Sequence, residues 1–426
     1  MKKFILLCVA LIGFSSINAQ IKGDEITVMV SPNHQDWNYK LGEKCQFSVQ
    51  VFKAQNLLHD VSISYELGAE FYPDLKKENV TVTSGTIELS HKGLNTPGFI
   101  RCKVTATVGE KNYYGSATVG YAADKLSPIT TQPDDFNQFW ANTLKEARYT
   151  ELRPTRRLLP ERCTDKVDVY EVSFHNIRWG SRTYGILAIP RATGKYPALL
   201  RVPGAGVRPY YGDVQTAEKG AIVLEIGIHG IPVTMPQSTY DELASGALNG
   251  YWDFNRDNKD ENYYKRVVVG AVRAVDYICS LPEYNGESLG VTGSSQGGAL
   301  SVMTAALDKR VTFLAAVHPA MCDHLAHTQG RAGGWPHWFY YDQNYTKAQQ
   351  DVSRYYDTTN FARNLTVSGW YSWGYNDDVC PPTSMHATYN IITAPKELHL
   401  YLQTAHFWYQ EQWDEWCNWI WNQLGI

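Results

Sequence analysis

The sequence predicts an α/β protein with a separate all-β domain in front of it, and three observations carry that prediction. Residues 26 to 121 alternate apolar and polar side chains in short runs divided by turn residues, the period of half-buried strands. From about residue 165, strand-like runs alternate with helical stretches long enough to be crossovers, which implies a mainly parallel sheet. Within that second part, Leu289-Gly-Val-Thr-Gly-Ser-Ser-Gln-Gly-Gly-Ala-Leu300 is an apolar run that ends in Gly-x-Ser-x-Gly and passes into a small-residue helix start. That is the layout of a nucleophile elbow, a sharp turn that lifts a serine clear of the sheet.

With 426 residues, 44% hydrophobic and 19% charged, the chain has room for two or three globular domains. Its formal net charge of -4 gives no basis for binding nucleic acid. Residues 1 to 19 read as a signal peptide. Lys2 and Lys3 form the positive end, Phe4 to Phe14 an apolar core too short to span a bilayer, and Ser15 to Ala19 the cleavage region. Cys8 lacks the small residue before it that a lipoprotein signal needs. The expectation is an exported protein, periplasmic or extracellular, with no membrane span.

Residues 20 to 123 are expected to form an immunoglobulin-like β-sandwich. Its strands are Ile26–Val30, Cys45–Phe52, Val61–Leu67, Val80–Thr83, Thr86–Leu89, Gly98–Val108 and Tyr113–Tyr121. The tryptophan of antibody domains is absent, and nothing in this stretch suggests chemistry. Export permits disulfides. Cys45 and Cys102 lie in alternating runs and form the candidate bridge; two buried thiols are the alternative.

Residues 124 to 426 form the second domain. Pro128 and Pro133 mark the link, and Asp134-Asp135 caps a helix to about Ala147. The expected strands are Val167–Phe174, Thr183–Ile189, Ala198–Val202, Ala221–Ile226, Ser288–Thr292, Thr312–Val317, Thr366–Trp373 and Lys396–Leu402. Tyr263–Leu281 is the clearest helix, with Val267, Ala271, Ala274, Val275 and Ile278 on one stripe.

The elbow follows the fifth of these eight strands. Of its two serines only Ser295 has glycine two residues before and two after, so Ser295 rather than Ser294 is the candidate nucleophile. On an α/β-hydrolase an acid and a histidine come later in the chain, in that order. Asp377 falls just past the seventh strand and His406 just past the eighth, both at strand carboxyl ends, where open α/β sheets place their sites. A serine hydroxyl needs an imidazole to take its proton, and the imidazole needs an acid to orient it. Asp378 competes with Asp377, and His386 and His399 with His406; His386 falls in a helix starting at Pro382 and His399 within the last strand. The oxyanion of an acyl intermediate requires two amide donors. The backbone N–H of Gln296 is one, and Ala205, in the Val202-Pro-Gly-Ala-Gly206 loop after the third strand, is the other.

Several stretches then resemble the acetyl xylan esterase and cephalosporin-C deacetylase family of α/β-hydrolases. They are Pro133-Asp-Asp-Phe-Asn-Gln-Phe-Trp140, Tyr263-Tyr264, Ala271-Val-Arg-Ala-Val-Asp276, Gly293-Ser-Ser-Gln-Gly-Gly298, Pro319-Ala-Met-Cys-Asp323 and Asp377-Asp-Val-Cys-Pro-Pro382. The resemblance covers roughly residues 130 to 426. It implies a serine esterase that removes acetyl groups from carbohydrate hydroxyls without metal or other cofactor, with Asp377 as the acid. The chain departs from the family where Arg-Gly-Gln is replaced by Gly227-Ile-His-Gly230, where His-Gly-Tyr becomes Pro203-Gly-Ala205, where the family's His-Glu is His406-Phe407, and where a helical acid is Gly270. These changes leave the sugar open, and the resemblance is compatible with an oligomer. A serine peptidase of the same fold and an inactive carbohydrate-binding protein are the alternatives. Trp335 and Trp338, in an aromatic run with Phe339, Tyr340 and Tyr341, form a candidate sugar platform, against a reading as satellite core. Asp323, His324 and His327 have helical spacing but no third spaced ligand or His-Glu-x-x-His, so no metal site is expected.

Overall fold

The computed structural model describes residues 25 to 426, so the expected signal peptide, residues 1 to 19, lies outside the described residues. The first nine strands are β1 (Ile26–Pro32), β2 (Asn38–Tyr39), β3 (Cys45–Lys53), β4 (Asn56–Leu57), β5 (Val61–Ala69), β6 (Tyr72–Val82), β7 (Thr86–His91), β8 (Gly98–Val108) and β9 (Lys111–Tyr121). They make two sheets. One runs β1-β3-β4 with β7 also on β3, and the other β2-β9-β8-β5-β6. Alternate residues of both sheets, among them Phe47, Val49, Ile63, Leu67, Ile100, Val104 and Val119, share one buried core. β6 begins eight residues before its expected start because residues 74 to 79, including Lys76, Lys77 and Glu78, are solvated and give no apolar alternation.

The candidate bridge between Cys45 and Cys102 is not formed; the alternative holds, and both are fully buried free thiols. Each packs as a small apolar side chain in the shared core. Burial pushes the Cys45 thiol up and the Cys102 thiol up to about 12. Thiolate, the form that exchanges into disulfides, is correspondingly scarce.

The rest of the chain is built on a nine-stranded sheet: β10 (Thr155–Leu158), β11 (Val167–His175), β12 (Arg182–Pro190), β13 (Tyr196–Arg201), β14 (Ile222–Gly227), β15 (Tyr284–Ser294), β16 (Phe313–Val317), β17 (Ser368–Trp373) and β18 (Lys396–Leu400). Their order is β10-β11-β12-β14-β13-β15-β16-β17-β18, antiparallel at the β10 to β12 end and parallel from β14 onward. All eight strands read from the sequence are present. The ninth, β10, escaped because its four residues are all exposed. Both faces of the sheet are covered. Leu187, Leu200 and Leu224 pack toward the layer containing helices Phe136–Arg148, Tyr263–Cys279 and Gln296–Leu307. Their neighbours Ile186, Leu199 and Val223 pack toward the other layer, with Trp416, Ile420 and Leu424 of the last helix. Apolar side chains on successive residues are what a strand buried on both sides requires. Among the described residues no helix is long and apolar enough to cross a membrane.

Candidate functional site

Ser295 sits where β15 turns into the helix Gln296–Leu307. Its backbone is held at φ 61 and ψ -123, a conformation that L-residues rarely adopt. Such strain costs on the order of 1–3 kcal/mol and persists only where the surroundings enforce it. Here they do: the Ser295 N–H donates to Val317 O at 2.9 Å, and Ser295 O accepts from Ala320 N at 3.0 Å. The flanking glycines permit the turn. A Cβ on Gly293 or Gly297 would lie 2.4 or 2.3 Å from Val202 O. The Ser295 hydroxyl makes no capping bond to its helix, whereas Ser294 ends the strand, paired in register with Val317.

Asp377 and His406, 29 residues apart, meet beyond the ends of β17 and β18. His406 Nδ1 donates to Asp377 Oδ2 at 2.8 Å, and Asp377 Oδ1 accepts from the N–H groups of Val379 (3.0 Å) and Cys380 (2.7 Å). Burial of Asp377 pushes its pKa up, but the His406 hydrogen bond and the nearby His318 more than offset this, so the carboxyl is held below its ordinary value. His406 is partly exposed and faces a cleft of about 770 Å³ that also contains Ser295, Gly204 and Ala205. Asp378 is turned away, with its half-exposed carboxylate on Lys103 at 3.2 Å. His386 is buried against Pro382 O and Trp373, and His399 lies between Glu397 and Glu415.

The loop Pro203–Gly206 is braced from two sides. Arg208 Nη2 donates to Gly204 O and Ala205 O, both at 2.9 Å. In a trans peptide the C=O and N–H point in opposite directions, so gripping Gly204 O aims the Ala205 N–H away from Arg208. Behind the loop, Gly206 N–H donates to Tyr251 OH at 3.3 Å, and Tyr251 OH and Tyr264 OH donate to Gln296 Oε1 at 2.8 and 3.0 Å. Gln296 Nε2 returns to Pro203 O at 3.3 Å. The Gln296 side chain therefore ties the start of its helix to the loop that carries Ala205. His229, from the loop that departs from the family pattern, donates through Nε2 to Gly206 O at 3.0 Å and accepts at Nδ1 from Tyr263 OH at 2.7 Å. Burial holds its pKa down at about 4, so it is neutral and can keep both roles.

The two tryptophans of the expected platform are separated. Trp335 lines the cleft beside Ser295, with Tyr211, Trp408 and Trp413. Trp338 is 4% exposed and stacks on His324 at 4.4 Å, so it belongs to the core and offers no face to a ligand. Its helix, Trp338–Tyr341, turns that ring inward while Tyr341 is exposed. Asp323, His324 and His327 do not converge. The Asp323 carboxylate accepts from Ile129 N, Thr130 N and Arg331 instead. Among the described residues, the set of His, Cys, Asp or Glu close enough to hold one ion is His318, Asp377 and His406, within 4.8 Å of one another. His318 is fully buried, 3.7 Å from Asp377, and burial lowers its pKa to about 4. The sequence reading missed His318, Arg208, Tyr251 and the role of His229. Only His229 had left a sign there, as a break in a family motif.

A mainly parallel sheet with a strained serine elbow, and a paired acid and histidine past two later strands, defines the α/β-hydrolase class. The chain belongs to the acetyl xylan esterase family, whose model matches residues 123 to 423. It is 36% identical over 406 residues to an acetyl esterase, Axe7A, of Xylanibacter ruminicola, covering 93% of this chain and 91% of that protein. Among solved structures it is similar to the acetyl xylan esterase of Paenibacillus sp. R4, with 25% identity, a TM-score of 0.61, and 70% of this chain and 97% of that one covered. It also resembles acetyl xylan esterase 1 of Thermoanaerobacterium sp. JW/SL YS485 in fold, with 21% identity, a TM-score of 0.60, and 71% and 97% covered. The protein is an esterase that hydrolyses carboxylic esters.

Proposed function

We propose that this chain is an exported serine esterase that removes acetyl groups from acetylated xylan fragments and related oligosaccharides. Ser295 is the nucleophile, His406 the general base and acid, and Asp377 the carboxylate that orients it. The observation that carries this reading is one cleft holding both the strained Ser295 and a histidine whose other ring nitrogen is already bound by a buried carboxylate.

In this reading His406 Nε2 takes the Ser295 proton as the hydroxyl oxygen attacks the acetyl carbonyl. The carbonyl oxygen becomes an oxyanion and accepts from the N–H groups of Gln296 and Ala205. As the C–O bond to the sugar breaks, the proton on His406 passes to the departing sugar oxygen. Water, deprotonated by His406, then attacks the acetyl-serine, releasing acetate and restoring the hydroxyl. No step calls for a metal or cofactor. The flat faces of Trp335, Tyr211 and Trp408 at the cleft mouth suit a pyranose ring. Residues 20 to 123 are proposed as an immunoglobulin-like domain and 124 to 426 as the esterase domain. Export rests on the signal peptide read from residues 1 to 19.

Purified protein offered an aryl acetate, an acetylated xylo-oligosaccharide and a peptide anilide tests the reading. Release of acetate from the first two, and no cleavage of the anilide, is expected. Preferential anilide cleavage, or a faster reaction with butyryl than acetyl esters, would refute it.

A further inference from the structure

Residues of the N-terminal sheets reach the loop that carries Asp377 one after another. β8 presents alternate side chains to one face, as a strand must. Ile100, Cys102 and Val104 enter the N-terminal core, and Phe99, Arg101 and Lys103 point to the opposite side. There Phe99 packs edge-on against Tyr375 with ring centroids 4.9 Å apart. Arg101 Nη2 donates to Asp377 O at 2.7 Å and to Tyr375 O at 3.2 Å. Lys103 pairs with Asp378. From β9, Ser116 O accepts from Asn376 Nδ2 at 3.3 Å, and from β2, Asn38 Oδ1 accepts from Tyr375 OH at 3.1 Å. Every residue from Tyr375 to Asp378 is thus held by the N-terminal sheets.

Arg101 is the centre of this arrangement. It is 5% exposed, and its guanidinium is aimed by two further bonds, Nε to Thr118 Oγ1 at 2.8 Å and Nη2 to Glu70 Oε1 at 2.5 Å. Glu70, 2% exposed, uses its other oxygen to accept from Thr383 N (3.2 Å) and Thr383 Oγ1 (2.6 Å), at the start of the helix Pro382–Asn390 that follows the acid loop. The pair therefore grips the loop at both ends. A buried ion pair is a poor source of stability, because desolvation opposes the attraction, and its best-attested use is to fix one geometry. What this pair fixes is the backbone of Asp377. Glu70, Arg101 and Thr118, which make the clamp, all precede residue 123, where the family match begins.

We propose that Arg101 and Glu70 are positioning residues for the esterase reaction. Through them the N-terminal sheets set the place of the Asp377 carboxylate, and hence of His406. The proposal rests on the assignment of Asp377 as the catalytic acid. A misplacement of ~1 Å can cost about 10²-fold in rate, so release of the clamp should act on kcat. Substrate binding, which uses neither Arg101 nor Glu70, should change little.

The test uses the full chain and kcat counted per active site, titrated with a fluorophosphonate. Arg101→Met should lower kcat for an aryl acetate by about ten- to a hundredfold with KM within about threefold. Because it strands a buried carboxylate it could fail to fold, so Arg101→Lys and Glu70→Gln are measured alongside. Arg101→Lys keeps the charge but loses the Thr118 bond that aims the fork, and should fall between wild type and Arg101→Met. Lys103→Met, at the half-exposed pair, should change kcat by less than about twofold. A purely structural role would lower the melting temperature and the number of titratable sites and leave kcat per site unchanged. That result in folded Arg101→Lys and Glu70→Gln overturns the proposal. Asp377→Asn separates the two readings. If it stays fully active the acid is misassigned, whereas if it is inactive and the Arg101 and Glu70 variants match wild type, only the clamp is wrong.

Discussion

Ser295 is held in a conformation that the chain adopts at a cost, and its neighbour Ser294 is an ordinary strand residue. Ser295→Ala should therefore lower ester hydrolysis by several orders of magnitude, as loss of a nucleophile does, and Ser294→Ala should retain most activity. Equal losses in two folded variants would mean the frame of the elbow is misread. This residue was legible in the sequence because the demands on it leave a local mark: Val202 O and the helix start leave no room for a Cβ at 293 or 297, so both flanking positions are glycine. Arg101 and Glu70 were not legible for the opposite reason. They lie 31 residues apart, Arg101 in β8 and Glu70 in the turn after β5, with no chemical pattern around either, and their partners are more than 270 residues away. Trp338 misled because an aromatic run does not state which rings turn inward. The two cysteines stayed open between bridge and buried thiols because strand alternation places them in one core without saying whether their sulfurs bond.

At the scale of elements, the site depends on two loops brought to one helix start. Arg208 orients the Ala205 amide through the Gly204 carbonyl, so Arg208→Ala should lower kcat by about tenfold, less than the 10²–10³ that follows loss of an oxyanion donor itself. KM for a small aryl acetate should stay within about twofold, and steady-state kinetics on both variant and wild type checks this. The Trp335–Tyr341 segment divides its duties. Trp335→Ala should slow hydrolysis of an acetylated oligosaccharide and spare an aryl acetate, which has no sugar to stack. Trp338→Ala should leave the substrate ratio unchanged and destabilise the fold by about 3–5 kcal/mol, the usual cost of emptying a buried tryptophan site. Denaturant unfolding and the ratio of the two rates distinguish them, and a matching fall in both rates for Trp335→Ala would assign that ring to packing as well. The strands of the large sheet were legible at this scale because each core strand carries its own apolar run; their order, with β14 between β12 and β13, was not. The bracing of the Pro203–Gly206 loop was not, since His229, Tyr251 and Gln296 meet only when β14 and β15 lie beside β13.

For the whole molecule, the buried histidines set a common sensitivity to acid. Burial lowers His229, His318, His337 and His386 to about 4, and His324 and His327 to about 3. In the unfolded chain each titrates near 6.5. Between about pH 6.5 and 4 the unfolded state therefore binds protons that the folded state refuses, and stability rises with pH across that window and is lost as pH falls through it. Each histidine can contribute up to about 1.4 kcal/mol per pH unit there. Glu70, Asp323 and Asp357, whose carboxyls burial pushes up, act in the opposite sense and offset part of the loss. Two of the histidines mark where the loss should start. His327 and His337 contact each other at 3.2 Å and pack against Phe71, and His327 also meets Tyr72, so protonation places charge in the seam between the N-terminal sheets and the rest of the chain. The melting temperature should fall steeply from pH 6.5 to 4.5 at constant ionic strength, and calorimetry in buffers of different ionisation enthalpy should report net proton uptake on unfolding. Replacing His327 with glutamine, which stays neutral, should flatten the pH dependence even if it lowers stability at pH 7. A melting temperature constant across that window would show that these six side chains do not remain neutral in the folded protein.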